Sequence, residues 1–237
     1  MTDPTPAATR RHPLLVAAAA TLLVAGLSYG LPDSSAATGV GLGFLAVTWL
    51  VALRRDVPGD SAHFGLSLGG LLDPVPLEPR RMARDSLVAL GWALGVAAVL
   101  FPPFWLGWVL WWKPPHEFAP APFPALGDEV MGQLLVIALP EEAFYRGYLQ
   151  TALDDAWAAR RRILGADLGP GLLAASAIFA LGHLATEVNA NRLAVFFPAL
   201  VFGWLRVRTR GIGAPLLLHA MSNLFATWLV RSYGLGN

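Results

Sequence analysis

Residues 134–146 read Leu-Leu-Val-Ile-Ala-Leu-Pro-Glu-Glu-Ala-Phe-Tyr-Arg, so two carboxyl groups and a guanidinium follow an apolar run. The surrounding segment, 128–153, is long enough to cross a bilayer as a helix. Ionisable side chains at membrane depth are costly unless they pair or line a wet cavity, so they indicate a functional site. Two further apolar segments carry such groups, in Phe179-Ala-Leu-Gly-His183 and His219-Ala-Met-Ser-Asn223. The sequence therefore predicts one buried polar site shared by three membrane helices.

The composition is that of a membrane protein. Hydrophobic residues make up 55% of the chain and charged residues only 14%, whereas soluble domains carry about 25% charged residues. We therefore expect an all-α fold, a polytopic bundle of membrane helices. The absence of cysteine excludes disulfides, thiolate metal sites and a cysteine nucleophile. No basic surface interleaved with aromatic residues indicates nucleic acid as a partner.

Seven apolar segments separated by turn-rich sequence predict seven transmembrane helices. They span residues 14–31, 38–53, 86–112, 128–153, 171–186, 192–209 and 213–231. The first is longer than the apolar part of a signal peptide, roughly 7–15 residues, and we interpret it as an uncleaved helix. An eighth, re-entrant or interfacial element within 63–75 is an alternative. We divide the chain into N-terminal membrane helices of unknown role, 1–112, and a catalytic helix bundle, 113–237.

The basic residues predict how these helices are oriented. With the N-terminus inside, thirteen of the seventeen Lys and Arg residues fall on the inner side, as the positive-inside rule requires. The inner set is Arg10, Arg11, Arg54, Arg55, Arg80, Arg81, Arg84, Arg160, Arg161, Arg162, Arg206, Arg208 and Arg210, and the outer set is Lys113, Arg192 and Arg231.

The same rule decides how segment 86–112 is interpreted. Dividing it into two spans at Pro102-Pro103 would invert every later helix. It would place outside the six arginines of the inner set that follow this segment, namely Arg160, Arg161, Arg162, Arg206, Arg208 and Arg210. A single helix kinked at the two prolines is therefore favoured. Its outer end carries an interfacial aromatic cluster, Trp105, Trp108, Trp111 and Trp112.

The polar residues of the three segments are predicted to lie at one depth. A rise of 1.5 Å per residue places Glu141, His183, His219 and Asn223 near the middle of the membrane. His219 and Asn223 are four residues apart and share one helix face. Side chains that line a common cavity must lie at a similar depth, as these four are predicted to do.

The spacing within the first segment separates the two glutamates. Glu142 and Arg146 stand at i and i+4 in the favourable order for a helical ion pair. Adjacent residues of a helix point about 100° apart, so Glu141 and Glu142 are not expected to face the same partner. Glu141 is left to face His183, beside which Phe179 forms an aromatic wall.

This set of side chains suits hydrolysis by activated water. A carboxylate in a cavity of low dielectric can act as a general base, and a nearby imidazole can hold the water and pass a proton. A second imidazole with an amide can donate to a developing oxyanion. We expect no cofactor and no metal. A zinc ion at Glu141, His183 and His219 is the alternative, although a His-Glu-x-x-His helix is absent and Asn223 suits an oxyanion better.

The motifs Glu-Glu-x-x-x-Arg, Phe-x-x-x-His and His-x-x-x-Asn, in this order on successive membrane helices, resemble those of the CPBP family. That family contains the prenyl-CAAX endopeptidases of the Rce1 type and many bacterial relatives, and the resemblance covers roughly residues 125–231. It implies an intramembrane protease of the glutamate type. By this likeness Glu141 activates water, His183 shares that water, and His219 with Asn223 forms the oxyanion hole. Glu142 and Arg146 match the remaining motif positions and, with Phe179, have supporting roles.

The resemblance implies a membrane-anchored protein or peptide substrate within a lipid bilayer. The Arg-rich, Ala-rich composition is typical of a high-GC bacterium, so we expect an integral protein of the bacterial inner membrane and demote prenylated substrates. A membrane-embedded substrate cut by a bacterial relative is favoured, either a C-terminal sorting or anchor segment, as in the myxosortase-like branch, or a peptide precursor, and the sequence does not separate these two. A non-catalytic immunity or scaffold protein that binds a peptide partner is the main alternative, and a small transporter with a proton relay is another.

Overall fold

The chain folds as a bundle of helices, as its composition predicts. The computed structural model describes residues 12–53, 59–73 and 76–235. Its α-helices are α1 (Pro13–Gly30), α2 (Asp33–Thr48), α3 (Asp60–His63), α4 (Pro79–Trp112), α5 (Leu126–Met131), α6 (Leu139–Glu142), α7 (Gln150–Trp157), α8 (Gly171–Thr186), α9 (Phe196–Thr209) and α10 (Gly213–Ser232). Wider π-helical turns form Trp49–Leu53, Gly132–Ala138 and Ala143–Leu149, and 3₁₀ turns form Leu68–Gly70 and Ala190–Val195.

Each of the seven predicted membrane helices has a counterpart. Five helices are long and apolar enough to span a membrane, namely Pro13–Gly30, Asp33–Leu53, Pro79–Trp112, Ala190–Thr209 and Gly213–Ser232. The sixth, α8, is apolar but shorter. The seventh runs without a break from α5 to α7, residues 126–157, through two π-helical segments. We call it the glutamate helix.

Helix α4 passes through Pro102 and Pro103 without ending, which confirms the single-span interpretation. Near its outer end Trp105 and Trp108 pack with Tyr233, and Trp105 Nε1–H donates a hydrogen bond to the Tyr233 hydroxyl over 3.1 Å. Trp111 and Trp112 are exposed, as expected of residues at a membrane interface.

Two connections differ from expectation. The segment 154–170, expected as a loop, contains a β-hairpin of β1 (Arg161–Ile163) and β2 (Ala166–Leu168). Its turn residues Leu164 and Gly165 both have positive φ, the geometry of a tight two-residue hairpin. In the region 63–75, where a re-entrant or interfacial element was the alternative, the described residues form the end of α3 and the short 3₁₀ turn Leu68–Gly70.

Six helices form a closed ring. In order around the ring, α1 packs on α2, α2 on the glutamate helix, and the glutamate helix on α10; α10 packs on α9, α9 on α8, and α8 back on α1. Helix α4 lies outside this ring and packs Ala93 and Ala97 close to α10. Small residues allow such close approach between membrane helices. The N-terminal pair α1–α2 therefore belongs to the same ring as the motif-bearing helices.

The two ends of the bundle differ in charge. Arg10, Arg11, Arg54 and Arg55 lie outside the described residues, and the other nine arginines of the predicted inner set gather at one end. Contacts tie that end together: Arg81 pairs with Asp73 at 2.7 Å, and Arg206 donates to the backbone oxygen of His63 over 3.0 Å. Lys113, Arg192 and Arg231 lie at the other end. We call these the arginine-rich end and the opposite end.

The glutamate helix is distorted around Pro140. Proline has no N–H to donate and its ring crowds the carbonyl four residues earlier, here that of Val136. The π-helical turn Gly132–Ala138 immediately before Pro140 widens the backbone at this point. Gly41 of α2 lies against the Val136 carbonyl so closely that a Cβ at position 41 would stand 2.5 Å from the oxygen. The absence of a side chain at Gly41 thus allows α2 to pack on the distorted turn.

Candidate active site

The ring encloses a cavity of about 670 Å³. Its wall includes Glu141 from the glutamate helix, His183 from α8, and His219 with Asn223 from α10. The structure thus brings together the four side chains that the sequence singled out, from three helices, on one surface. Phe179 lines the same cavity, beside His183, with the two ring centroids 4.3 Å apart.

Glu142 and Arg146 lie behind this wall and are almost completely buried. Arg146 Nη1 stands 3.1 Å from Glu142 Oε1, so the predicted ion pair forms. Arg146 is also held by aromatic faces, because its guanidinium carbon lies 4.2 Å from the Phe179 ring centroid and 5.3 Å from that of Phe202. Cation–π contact stabilises a desolvated guanidinium. The pair is therefore a packed structural unit that supports the cavity wall.

The two glutamates nevertheless share a partner, contrary to expectation. Nδ1–H of His219 donates a hydrogen bond of 2.8 Å to Glu142 Oε1, and Nε2 of the same ring lies 3.7 Å from Glu141 Oε2. The argument from helix angles was wrong here because an imidazole presents nitrogens in two directions. One ring can therefore lie between carboxylates that diverge. Phe202 stacks on the other side of His219, with ring centroids 5.0 Å apart and planes at 15°.

His183 has a defined tautomer. Its Nδ1–H donates to the backbone oxygen of Phe179, one turn earlier, over 3.0 Å. This bond leaves Nε2 as an acceptor in the neutral ring. Glu141 lines the same cavity as His183. His183 and Glu141 can therefore both act on one water molecule.

Asn223 is oriented by a residue that sequence reasoning missed. Its Nδ2 donates a hydrogen bond of 2.8 Å to Oε1 of Gln133, which also lines the cavity. The available signal was a lone amide in the apolar part of the glutamate helix, two turns before Glu141. Tyr145 and Phe202 also line the cavity and were not singled out. Aromatic residues in membrane helices are too common to be distinctive.

Glu141 retains capacity for a further hydrogen bond. Its Oε2 is buried and has no hydrogen-bond partner among the described residues. Glu142 Oε2 is likewise without such a partner, but Glu141 is the one of the two that lines the cavity, where it is placed to bond a ligand.

The donor arrangement does not favour a metal centre. Among the described residues no group of three or more His, Asp or Glu side chains is placed to hold a metal ion. The zinc alternative at Glu141, His183 and His219 thus gains no support from the geometry. The backbone bond of His183 and the carboxylate bond of His219 fix both rings without one.

The cavity of this membrane helix bundle carries a carboxylate, two imidazoles and an amide. Such a set of side chains is typical of a membrane-embedded hydrolase. Residues 129–225 match the family described as type II CAAX prenyl endopeptidase, Rce1-like. The matched segment contains all three motifs, which confirms the predicted relationship to the CPBP and CAAX endopeptidases. The family match supports the assignment of the protein to the class of intramembrane endopeptidases, which work in a lipid environment. No curated protein and no solved structure matches the chain.

Proposed function

We propose that this protein is an intramembrane endopeptidase that hydrolyses a peptide bond in a membrane-anchored substrate by glutamate-activated water. One observation carries the proposal: Glu141, His183, His219 and Asn223 line a single cavity, while Glu142 and Arg146 pair behind it. A protein that only bound a peptide would have no need for this combination of groups.

In the first step Glu141 accepts a proton from water while the water oxygen attacks the scissile carbonyl carbon. His183 Nε2 accepts a hydrogen bond from the same water and fixes its direction. In the second step the tetrahedral intermediate collapses, the C–N bond breaks, and the proton held by Glu141 passes to the leaving amine. The immediate products are a carboxylic acid and an amine, with Glu141 ionised again; proton transfer from the acid to the amine then gives a carboxylate and an ammonium ion.

The developing oxyanion is stabilised by Asn223 and His219. The Asn223 amide donates one hydrogen of its NH₂ group to Gln133 and keeps the other for the substrate. His219 donates from Nε2 only when both ring nitrogens are protonated, because Nδ1–H is directed at Glu142.

The substrate that best suits a bacterial inner membrane is a C-terminal sorting or anchor segment, as in the myxosortase-like branch. Prenylated termini, which the matched family's description names, are the less favoured class because the composition indicates a bacterium.

The test compares Glu141→Gln with Glu117→Gln, an exposed carboxylate in the connection after α4. Wild type and both variants are expressed in the native host, and membrane and secreted proteins are compared by C-terminal mass spectrometry. We expect specific uncut proteins to accumulate in Glu141→Gln alone, while that variant stays folded in the membrane. If the Glu141→Gln proteome matches wild type while deletion of the whole protein still gives a phenotype, the immunity or scaffold alternative replaces the protease.

A further inference from the structure

The cavity extends from the catalytic residues toward one end of the bundle only. Beyond the catalytic level its wall is formed by a set we call the mouth residues. They are Ser28 near the end of α1, Asp33 at the start of α2, Thr186 at the end of α8, Arg192 before α9, and Thr227 in the last part of α10. Ser28 Oγ–H donates to the Thr186 backbone oxygen over 3.4 Å, so α1 and α8 meet at the mouth. All five belong to the end of the bundle opposite the arginine-rich end.

The other direction is closed by packed side chains. Below the catalytic residues Phe64, Tyr148, Leu149 and Leu153 are at most 1% exposed and belong to the main hydrophobic core. Gln150 Nε2 donates to the Gly203 backbone oxygen over 3.1 Å and links the glutamate helix to α9 at this level. None of these residues lines the cavity. Within the described residues no path leads from Glu141 to the arginine-rich end.

Each of the six helices around the cavity packs on the next, and the residues of the cavity wall beyond the catalytic level lead to the mouth. A polypeptide reaches the carboxylate by entering the mouth as an extended segment. A cavity of about 670 Å³ accommodates a few residues of such a segment.

The charge distribution sets which face of the membrane holds the mouth. The positive-inside rule places the arginine-rich end at the cytoplasmic face. The opposite end, with the mouth residues, then faces outward. The basic group at the mouth, Arg192, pairs with Glu187 at 2.7 Å across partly exposed side chains. Such an exposed pair contributes little stability and can exchange partners.

We infer that the active site takes its substrate from the outer face of the membrane. The substrate class is a polypeptide segment already exported, such as the outward-facing flank of a membrane anchor, and a tail confined to the cytoplasm is excluded. This inference rests on the proposed function for naming the cavity a substrate site. The sidedness of the cavity is a separate property, and it is measured without any cleavage.

The experiment uses the absence of cysteine from the chain. Thr227→Cys reports on the mouth, and Ala62→Cys, exposed at the arginine-rich end, is the matched control. Each variant is treated with a charged, membrane-impermeant methanethiosulfonate in right-side-out spheroplasts and in inside-out vesicles. Because the reagent does not cross the hydrocarbon, we expect Thr227→Cys to react at least about tenfold faster in spheroplasts and Ala62→Cys to show the reverse.

Faster modification of Thr227→Cys from the inner side overturns the inference. So does its failure to react from either side when the denatured protein reacts fully. Ala37→Cys, on the cavity face of α2, provides a second reporter if Thr227→Cys does not fold. A sidedness result that agrees with the inference while Glu141→Gln leaves cleavage intact would overturn the proposed function alone.

Discussion

His219 is the residue through which the buried charges of the site are connected. Its two ring nitrogens face Glu142 at 2.8 Å and Glu141 at 3.7 Å, and Arg146 approaches Glu142 from its own helix at 3.1 Å. The two carboxylates therefore differ in role although they are adjacent. Glu142 Oε1 is bonded to His219 and paired with Arg146 behind the wall, whereas Glu141 lines the cavity.

We expect Glu142→Gln to destabilise the protein and Glu141→Gln to leave stability nearly unchanged. Removing the Glu142 charge leaves Arg146 buried without its counter-ion, which costs about 3–5 kcal/mol. Thermal unfolding of purified protein in detergent measures the difference. The double variant Glu142→Gln/Arg146→Met should recover much of the loss, because no unpaired charge then remains. Equal stability of Glu141→Gln and Glu142→Gln would contradict this division of roles.

A second prediction concerns the orientation of Asn223. Asn223→Ala should lower kcat by about 10²–10³-fold, as loss of an oxyanion donor does in other hydrolases. Gln133→Leu should lower kcat less and leave KM nearly unchanged, because the amide is still present but no longer held. The double variant should be no slower than Asn223→Ala alone, since Gln133 acts only through Asn223. Additive losses in the cleavage assay would show that Gln133 has an independent role.

Sequence reasoning found the residues that carry unusual chemistry at membrane depth. Glu141, His183, His219 and Asn223 stood out because each is polar in an apolar segment. The contact between His219 and Glu142 depends on ring orientation and on the packing of α10 against the glutamate helix. Helix periodicity gives neither the orientation of the ring nor the packing of the two helices, so this hydrogen bond was not predictable.

At the scale of elements, the turn around Pro140 fixes where the glutamates point. The π-helical segments on either side of Leu139–Glu142 change the angle per residue of the glutamate helix. Such bulges are rare and occur often at functional sites. A proline within a helix favours a distortion, but the length of this one does not follow from the sequence, because a π-helical turn is stabilised by its neighbours.

We expect Gly41→Ala to destabilise the protein by roughly 1–3 kcal/mol, as overpacking does in well-packed interiors. The new methyl group would stand 2.5 Å from the Val136 oxygen and 3.3 Å from the Pro140 ring, so α2 must move away from the glutamate helix. Gly26→Ala is the matched control on α1, where a Cβ meets nothing within 4 Å. It should be neutral or slightly stabilising. Thermal unfolding and the cleavage assay together test both variants, and an unchanged Gly41→Ala would show that the contact is not tight.

The hairpin of β1 and β2 illustrates a limit of predicting structure from sequence patterns. Its arginines identified the segment correctly as belonging to the arginine-rich end. Its turn, Leu164-Gly165, lacks the Asn-Gly or Asp-Gly pair that predicts a two-residue hairpin. The strands are only three residues long, too short for alternation to be recognised.

At the scale of the whole molecule, the ring makes the N-terminal helices part of the site. The proposed division at residue 112 separated helices of unknown role from the catalytic bundle. In the structure α1 and α2 contribute Val24, Ser28, Val40 and Phe44 to the cavity wall, whereas α4 remains outside the ring. Sequence motifs mark the helices that carry chemistry. Motifs do not identify the helices that form the rest of the cavity wall, because those helices need only apolar and small residues.

This architecture predicts that a split chain reassembles. A break after residue 56 separates α1–α2 from the rest and cuts no described helix. Stable membrane helices can associate after insertion, so co-expressed fragments 1–56 and 57–237 should co-purify and cleave substrate. Fragment 57–237 alone should be inactive, because the wall between α8 and the glutamate helix is missing and lipid would enter the cavity. Activity of 57–237 alone in the cleavage assay, at a level comparable with the reassembled pair, would show that α1–α2 are dispensable and that the ring is not required for catalysis.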